Sequence, residues 1–191
     1  MGCSQPGQLQ RSEQLWSPEM PGAISQEAPT LDLEELEYLI HEASNEARRL
    51  KGIRSLVWSD TIAYVARGHS LDMAKHGYFG HVNKEGNSAT ERAAEAGLAR
   101  LHRAGNMVLE GLGENLFATH RYSEYTVHAA DEVRSYDVSW KTVEDIAAEA
   151  VTAWLDSPGH RVNLLSPTYR REGIGVALGT NGTLFVTQNL Y

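Results

Sequence analysis

Residues 153–165 read Ala-Trp-Leu-Asp-Ser-Pro-Gly-His-Arg-Val-Asn-Leu-Leu, and they indicate the fold more clearly than any other stretch of this chain. Apolar residues at helical spacing lead from Thr142, a good N-cap, to this stretch, where Ser157-Pro158 ends the helix. Ser157 can cap a second helix because proline fits the first helical position, which places His160 in its first turn. A helix dipole disfavours an imidazolium there, so we expect a neutral His160 that can bind a metal ion or accept a proton. The alternative is a helix-to-helix corner with a surface histidine.

Two shorter segments carry similar polar groups beside turn-forming or aromatic residues. Tyr78-Phe79-Gly80 precedes His81, as in a chain that leaves a helix and turns sharply. Glu114 lies between Gly113 and Asn115 in an otherwise apolar stretch, where it is either a site carboxylate or a structural one. Because a rigid scaffold presents chemistry from such segments, the combination predicts a cleft with two histidines and a carboxylate.

The rest of the chain predicts a mixture of helices and strands. Helices are expected from an Asp32 cap to Gly52, from Ser59 to about Gly77, and over 89–96. Asn181-Gly182 between two alternating apolar runs predicts a terminal β-hairpin in which both turn residues accept positive φ. Residues 119–141 are polar and aperiodic, and we interpret them as an inserted loop.

One further group of polar residues resembles a metal cluster. His69, Asp72 and His76 lie on roughly one face of the predicted second helix. His69 also falls within the apolar stripe of that helix, so we interpret it as a core histidine satisfied by a hydrogen bond.

Composition narrows the classes of function. With 191 residues and 41% hydrophobic content, the chain can bury one core, and we expect one domain with a tail. A formal charge of −8 argues against nucleic acid as a partner, and no apolar run is long enough to predict a transmembrane helix. The sequence contains no Walker-type loop, His-Glu-x-x-His pair or Gly-x-Ser-x-Gly elbow, which disfavours nucleotide, zinc-protease and serine-hydrolase functions.

The N-terminal region predicts a tether. Residues 1–31 contain four of the six prolines, so we expect a flexible segment before a domain at 32–191, and removing residues 1–30 should cost little stability. Met1-Gly2-Cys3-Ser4 resembles the junction of a bacterial lipoprotein, with Cys3 as the lipidated first mature residue. That interpretation implies an exported, cell-surface protein. The alternative is a cytoplasmic protein in which Cys3 has no special role.

Taken in chain order, the segments around His81, Glu114 and His160 and the terminal hairpin resemble the bacterial branch of the CAP, or SCP-like, superfamily. This superfamily includes cysteine-rich secretory, venom-allergen and plant pathogenesis-related proteins. The resemblance covers residues 32–191 and implies an α+β fold, a three-layer α-β-α sandwich with a small central antiparallel sheet. It also implies a cleft in which His81, Glu114 and His160 can hold a divalent ion such as zinc, with Gln188 nearby. Eukaryotic members have a second glutamate at the position of Ser157 here, for which Asp156 is a substitute.

Three functions follow from this resemblance and from the chemistry of the cleft. The first is a secreted or surface-anchored module that binds a divalent cation, a small ligand or a cell-envelope component without turnover. The second is a metal-assisted hydrolase of peptide or cell-envelope substrates, with Glu114 as general base. The third is lipid or sterol binding. The absence of an identifiable nucleophile with its own base favours binding over catalysis.

Overall fold

A four-stranded sheet forms the centre of the molecule in a computed structural model that describes residues 23–24, 28–98, 101–104, 107–130 and 133–191. The helices are α1 (Leu33–Leu50), α2 (Asp60–His76), α3 (Ala89–Glu95), α4 (Val143–Asp156) and α5 (Pro158–Leu164). The strands are β1 (Ala23–Ile24), β2 (Val57–Trp58), β3 (Leu101–Ala104), β4 (Met107–Glu110), β5 (Gly113–His120), β6 (Tyr122–Ala130), β7 (Val133–Trp140), β8 (Arg171–Leu178) and β9 (Thr183–Leu190).

The central sheet has the strand order β2-β8-β9-β5, so β5 is an edge strand. The β5–β9 and β8–β9 pairs are antiparallel, whereas the short β2 pairs with β8 in parallel. Helices α1 and α4 cover one face, and α2 covers the other. The predicted α-β-α sandwich is therefore confirmed, with one parallel pair added to its antiparallel sheet.

The main core lies between the sheet and the α1–α4 layer. Alternate residues of β8 and β9, such as Ile174 and Val186, point to this side and pack against Ile40 and Trp154. The indole of Trp154 is completely buried and donates its Nε1–H to the Leu116 carbonyl at 3.0 Å. This bond ties α4 to the edge strand that carries Glu114.

Glycines in β8 let α2 approach the opposite face very closely. A Cβ atom added at Gly173 would lie 2.0 Å from the amide nitrogen of Ala63, and one added at Gly175 would lie 2.1 Å from that of Arg67. Because these neighbours are helix backbone, only glycine allows this packing distance. The position of α2, and of the segment that follows it to His81, depends on these two residues.

Most helix boundaries agree with the sequence prediction. Asp32 caps α1 by accepting hydrogen bonds from the amides of Glu34 and Glu35, and Thr142 forms a capping box with Asp145 at the start of α4. Gly77 ends α2 in the left-handed region at φ 60°. These boundaries were predictable because caps and glycine stops are local signals.

The terminal hairpin is confirmed, but its turn differs from the prediction. The Gly182 amide bonds to the Gly179 carbonyl at 3.0 Å, so Thr180 and Asn181 are the central turn residues. Gly182 follows at φ 78°, which matches a three-residue loop with a glycine bulge. The expected two-residue Asn-Gly turn is therefore wrong by one position.

The interpretation of residues 119–141 as an inserted loop is also wrong. β5 extends to His120, and β6 and β7 then form an antiparallel hairpin. Tyrosine, threonine and valine are frequent in this stretch and favour strands, a signal that its polar character obscured.

Part of the predicted N-terminal tether is paired with this hairpin. Ala23–Ile24 form β1 and run parallel to β7, and the guanidinium of Arg121 donates to the carbonyl of Pro29. Residues 1–22 and 25–27 lie outside the described residues, as does the lipidation predicted at Cys3.

Candidate functional site

The cleft brings His81 and Glu114 into direct contact. His81 follows α2, and its Nδ1 lies 2.9 Å from Glu114 Oε1. The His81 side chain is 56% exposed, whereas that of Glu114 is only 4% exposed. Because a carboxylate accepts hydrogen bonds, Nδ1 carries the proton in this pair and Nε2 keeps its lone pair. The buried carboxylate thus fixes the tautomer of an exposed histidine.

Arg92 completes this arrangement from α3. Its Nη2 donates to Glu114 Oε2 at 2.5 Å, and its Nη1 donates to the main-chain carbonyl of His81 at 3.0 Å. Both oxygens of Glu114 are therefore engaged by charged or ring N–H donors. The guanidinium also supplies the positive charge that a buried carboxylate requires.

His160 faces His81 across the cleft. The two ring centroids are 6.3 Å apart, and the ring planes are inclined by 58°. Burial lowers the pKa of His160, and the nearby His81 lowers it further. The expected neutral imidazole agrees with this direction, and burial and the nearby His81 are its causes.

Two asparagines fix α5 against the edge strand. The side-chain nitrogen of Asn163 donates to the Glu114 carbonyl at 3.2 Å and to Asn115 Oδ1 at 3.0 Å. Asn115 in turn donates to the His160 carbonyl at 3.1 Å and to Gln188 Oε1 at 2.8 Å. The backbone positions of Glu114 and His160 are thus set by one hydrogen-bonded cluster.

A chain of buried polar side chains leads from Gln188 across β8 to His41 on α1. Gln188 Nε2 donates to Glu172 Oε2 at 2.6 Å, and Glu172 Oε1 lies 2.7 Å from His41 Nδ1. Gln188 and Glu172 are fully buried. The predicted cleft residue Gln188 therefore lies behind the cleft, where it supports Asn115 instead of lining the surface.

The end of the sheet beside the cleft is also polar on the face opposite Gln188. Asn189 is the register partner of Glu114, and both of its side-chain amide atoms are buried without a partner among the described residues. Farther along the same strand, Leu184, Phe185 and Val186 are buried and apolar. The central sheet thus has a polar end at the cleft and an apolar end away from it.

The other two residues predicted for the cleft lie at the α4–α5 junction. Asp156 ends α4 and is exposed, and the contacts described for the cleft above do not include it. Ser157 is the N-cap residue of α5, as predicted, but its side chain makes no capping hydrogen bond. Both residues are close in sequence to His160, while the carboxylate that contacts the cleft histidines is Glu114.

A metal site was predicted at His81, Glu114 and His160. The ring centroids of His81 and His160 are 6.3 Å apart, and zinc binds imidazole nitrogens at about 2.0–2.1 Å. Among the described residues, no group of three or more His, Cys, Asp or Glu side chains is arranged to hold a metal ion. Metal binding by His81, Glu114 and His160 therefore stays a prediction, and both Glu114 oxygens are already engaged by His81 and Arg92.

The second histidine cluster has the structural role predicted for it. His69 is fully buried, and its Nε2 lies 2.9 Å from the Gly80 carbonyl. Asp72 instead accepts hydrogen bonds from Tyr78 and His76. The prediction of a core histidine at position 69 is confirmed.

Arg92 and the His41–Glu172 pair are the important residues that the sequence did not reveal. Arg92 lies within the short helix predicted over 89–96, and Glu172 immediately precedes Gly173, where the alternating apolar pattern of the terminal hairpin begins. No spacing rule connects either residue with its partner. A capping box around Ser88 and Glu91 was the only local signal near Arg92.

The comparisons with known proteins agree with this fold. The sequence pattern of the family described as "CAP: Cysteine-rich secretory protein family" matches residues 41–190. The match covers most of the chain, and the protein belongs to the CAP family.

Its relatives include bacterial proteins of greater length. The chain is 30% identical over 156 residues to the "Uncharacterized membrane protein YlbC" of Bacillus subtilis, covering 82% of this chain and 36% of that protein. The chain thus spans little more than a third of this relative. No helix in the described part of the present chain has the length and apolar character to cross a membrane.

Solved structures show the same fold. An extracellular SCP-domain protein of Bacillus anthracis aligns with a TM-score of 0.59 at 24% identity, over 86% of this chain and 44% of the other. An outer surface protein of Borrelia burgdorferi aligns with a TM-score of 0.59 at 15% identity, over 86% of this chain and 97% of the other. The second alignment shows that the fold described here forms nearly all of another protein.

Proposed function

We propose that this CAP domain is an extracellular or surface-anchored binding module whose His81–His160 cleft holds a divalent cation, zinc foremost, and through it a small ligand or a cell-envelope component. The single observation that carries this proposal is the arrangement of the two imidazoles, 6.3 Å apart, with His81 oriented by a buried carboxylate. Bound zinc would supply a Lewis-acidic centre with open positions for the ligand.

The protonation of the two histidines supports metal binding. Metal-ligating histidines commonly donate their second ring N–H to a carboxylate, which orients the ring and makes it a better ligand. Glu114 occupies that position toward His81 Nδ1, so the free Nε2 is the nitrogen that would bind. The lowered pKa of His160 keeps its imidazole neutral, as ligation requires.

Binding is favoured over turnover by the contacts of Glu114. A hydrolase using Glu114 as general base needs a carboxylate oxygen free to take a proton from water. Here one oxygen accepts from His81 and the other from Arg92. We therefore assign Glu114 a positioning role, with the metal-assisted hydrolase as the alternative proposal.

Lipid binding is the third candidate, and one groove favours it. A cavity of about 670 Å³ between α1 and α4 has Leu39, Ala43, Ala147 and Ala148 in its lining. Glu42, Glu46 and Glu144 also line it, which opposes the carboxylate of a fatty acid but not an uncharged lipid. Fluorescence titration with a neutral sterol probe would test this candidate, and Ala148→Trp, at an exposed position of the lining, should abolish the signal.

The surface location is a separate proposal that rests on Cys3. Lipidation there would anchor the domain to a membrane without a transmembrane helix. Expression behind a lipoprotein signal peptide in a bacterial host, followed by fractionation of the wild type and Cys3→Ser, would test it. Equal distribution of the two proteins between membrane and soluble fractions would contradict the anchor.

Zinc titration by calorimetry tests the main proposal. The wild type should bind zinc at neutral pH and more weakly at about pH 5, because protonation of the histidines competes with the metal. His81→Ala and His160→Ala should each weaken binding strongly. His76→Ala, which removes a histidine outside the cleft, should not change it; retained binding in the double variant His81→Ala/His160→Ala would contradict the site.

A further inference from the structure

We propose that a cavity between α2 and α3 is a second binding site, distinct from the His81–His160 cleft, for a small neutral molecule rich in hydroxyl groups, such as a monosaccharide. The cavity has a volume of about 370 Å³, and its lining includes Tyr64, Gly68, His69, Arg92 and Glu95. We call it the α2–α3 cavity. Its volume is more than ten times the roughly 30 Å³ that one water molecule occupies in the liquid, so it can hold an organic ligand.

His69 provides an acceptor for such a ligand. Its Nε2 lies 2.9 Å from the Gly80 carbonyl, which can only accept, so Nε2 carries the proton and Nδ1 has the lone pair. Burial lowers the pKa of this imidazole, which keeps it neutral. Nδ1 is buried without a partner among the described residues, although the His69 side chain lines the cavity. A buried acceptor of this kind normally has a hydrogen-bond donor.

Arg92 provides the complementary donor. Its Nη1 and Nη2 are taken by His81, Asn87 and Glu114. Its Nε–H is buried without a partner among the described residues, and Arg92 also lines the cavity. Two side chains of the lining, each more than nine-tenths buried, thus carry one acceptor and one donor that have no partner among the described residues. Hydroxyl groups both donate and accept, so a polyhydroxylated molecule can satisfy both.

The charges around the cavity favour a neutral ligand. Asp72, Glu85 and Glu95 line it with one guanidinium, that of Arg92, so the balance is negative and an anion is disfavoured. A cation would meet the Arg92 Nε–H, a positively charged donor.

Gly68 and Tyr64 give the cavity its opening. Gly68 lies within α2, where glycine is less stable than alanine, and an added Cβ would meet nothing within 4 Å. Packing therefore does not require this glycine, and its missing side chain leaves the cavity open. Tyr64 is 71% exposed on the same lining and offers an aromatic face with a polar hydroxyl to a sugar.

Nuclear magnetic resonance on the full chain, with N-acetyl-D-glucosamine as the probe, tests this inference. Saturable shifts of the Arg92 Nε–H and His69 Nδ1 resonances are expected in the wild type. Gly68→Met should fill the cavity and weaken the apparent affinity by about tenfold or more, which corresponds to 1.4 kcal/mol. Thr61→Met, which adds the same side chain to an exposed α2 position outside the lining, should bind like the wild type. Ala96→Leu is a second cavity-filling variant if Gly68→Met does not fold.

Three results would overturn the inference. Lack of saturable shifts in the wild type would mean that water alone satisfies the two buried groups. Binding that survives both cavity-filling variants would place the sugar elsewhere, and binding lost in His160→Ala would place it in the cleft. Sugar binding that persists in His81→Ala/His160→Ala would support the second site even if zinc binding to the wild type failed.

Discussion

Arg92 and Glu114 form a buried ion pair with 2.5 Å between Nη2 and Oε2, and their side chains are only 8% and 4% exposed. The same guanidinium holds the main-chain carbonyl of His81. Arg92 therefore fixes both the carboxylate that orients the His81 ring and the backbone that carries it. This makes an α3 residue the main support of one half of the cleft.

Loss of Arg92 should strongly destabilise the protein. Arg92→Met would leave the Glu114 carboxylate buried without its cation, and we expect the free energy of unfolding to fall by about 3 kcal/mol in urea denaturation. Zinc affinity should fall by about tenfold or more because His81 loses its support. Arg49→Met, which breaks the exposed Arg49–Glu46 pair, is the matched control and should change stability little. Similar losses in both variants would contradict the role of Arg92.

The pKa of His160 should lie below the usual value of 6.5 in metal-free protein. Because folded His160 binds fewer protons than unfolded His160 in this range, its contribution is zero above about pH 6.5, lowers stability as pH falls from there toward the folded-state pKa, and is constant below that pKa. His81→Ala should raise the pKa of His160 without restoring 6.5, since burial remains. Proton NMR titration with a chelator present measures this shift. A His160 pKa above 6.5 would refute the account.

The close contact between α2 and β8 should tolerate no side chain at Gly175. Gly175→Ala would place Cβ against helix backbone, and we expect a loss of about 3 kcal/mol or failure to fold. Gly68→Ala, in a helix with open space around the new methyl group, should instead gain about 0.5–1 kcal/mol. Thermal unfolding of the two variants measures both, and a Gly175→Ala variant as stable as the wild type would show that the packing distance is wrong.

The buried polar cluster behind the cleft should depend on Gln188. Gln188→Met has a similar size but removes the partner of both Asn115 and Glu172, and we expect a loss of about 1–3 kcal/mol. Leu184→Met in the same strand changes only apolar packing and should cost less than about 1.5 kcal/mol. Zinc affinity should fall only in Gln188→Met, because Asn115 holds the His160 carbonyl. Unchanged zinc affinity in Gln188→Met would show that the buried polar cluster does not support the cleft.

The N-terminal tether should contribute unequally along its length. Removing residues 1–22 should leave the melting temperature nearly unchanged. Removing residues 1–30 also deletes β1 and the carbonyl of Pro29 that Arg121 binds, so a further small decrease is expected. An equal effect of the two truncations would show that β1 does not stabilise the β6–β7 hairpin.

Much of the fold could be predicted because its signals are local. The caps at Asp32 and Thr142 and the apolar periodicity of three helices each lie within one element. The cleft was predictable for a different reason: His81, Glu114 and His160 each lie in a segment that resembles the family. The structure brings these three side chains together, while metal binding by them stays a prediction.

What the sequence did not predict depends on distant pairs. Arg92 meets Glu114 across two elements, and His41 meets Glu172 from the other end of the chain. The sequence around a helical histidine or arginine does not indicate which distant residue it will contact. The β6–β7 hairpin was missed because polar residues weaken the alternation that identifies a strand.

The polar and apolar ends of the central sheet should open at different rates. Backbone amides at Leu184, Phe185 and Val186 lie in the apolar half of β9 and should exchange with deuterium only when the whole domain unfolds. Amides at Gln188 and Asn189, a few residues farther along the same strand, are surrounded by polar side chains, two of whose atoms have no partner among the described residues. A single strand would then have two exchange regimes, slow where it holds the fold and faster where it adjoins the cleft. Motion needed to admit a ligand would thus be confined to one end of the sheet.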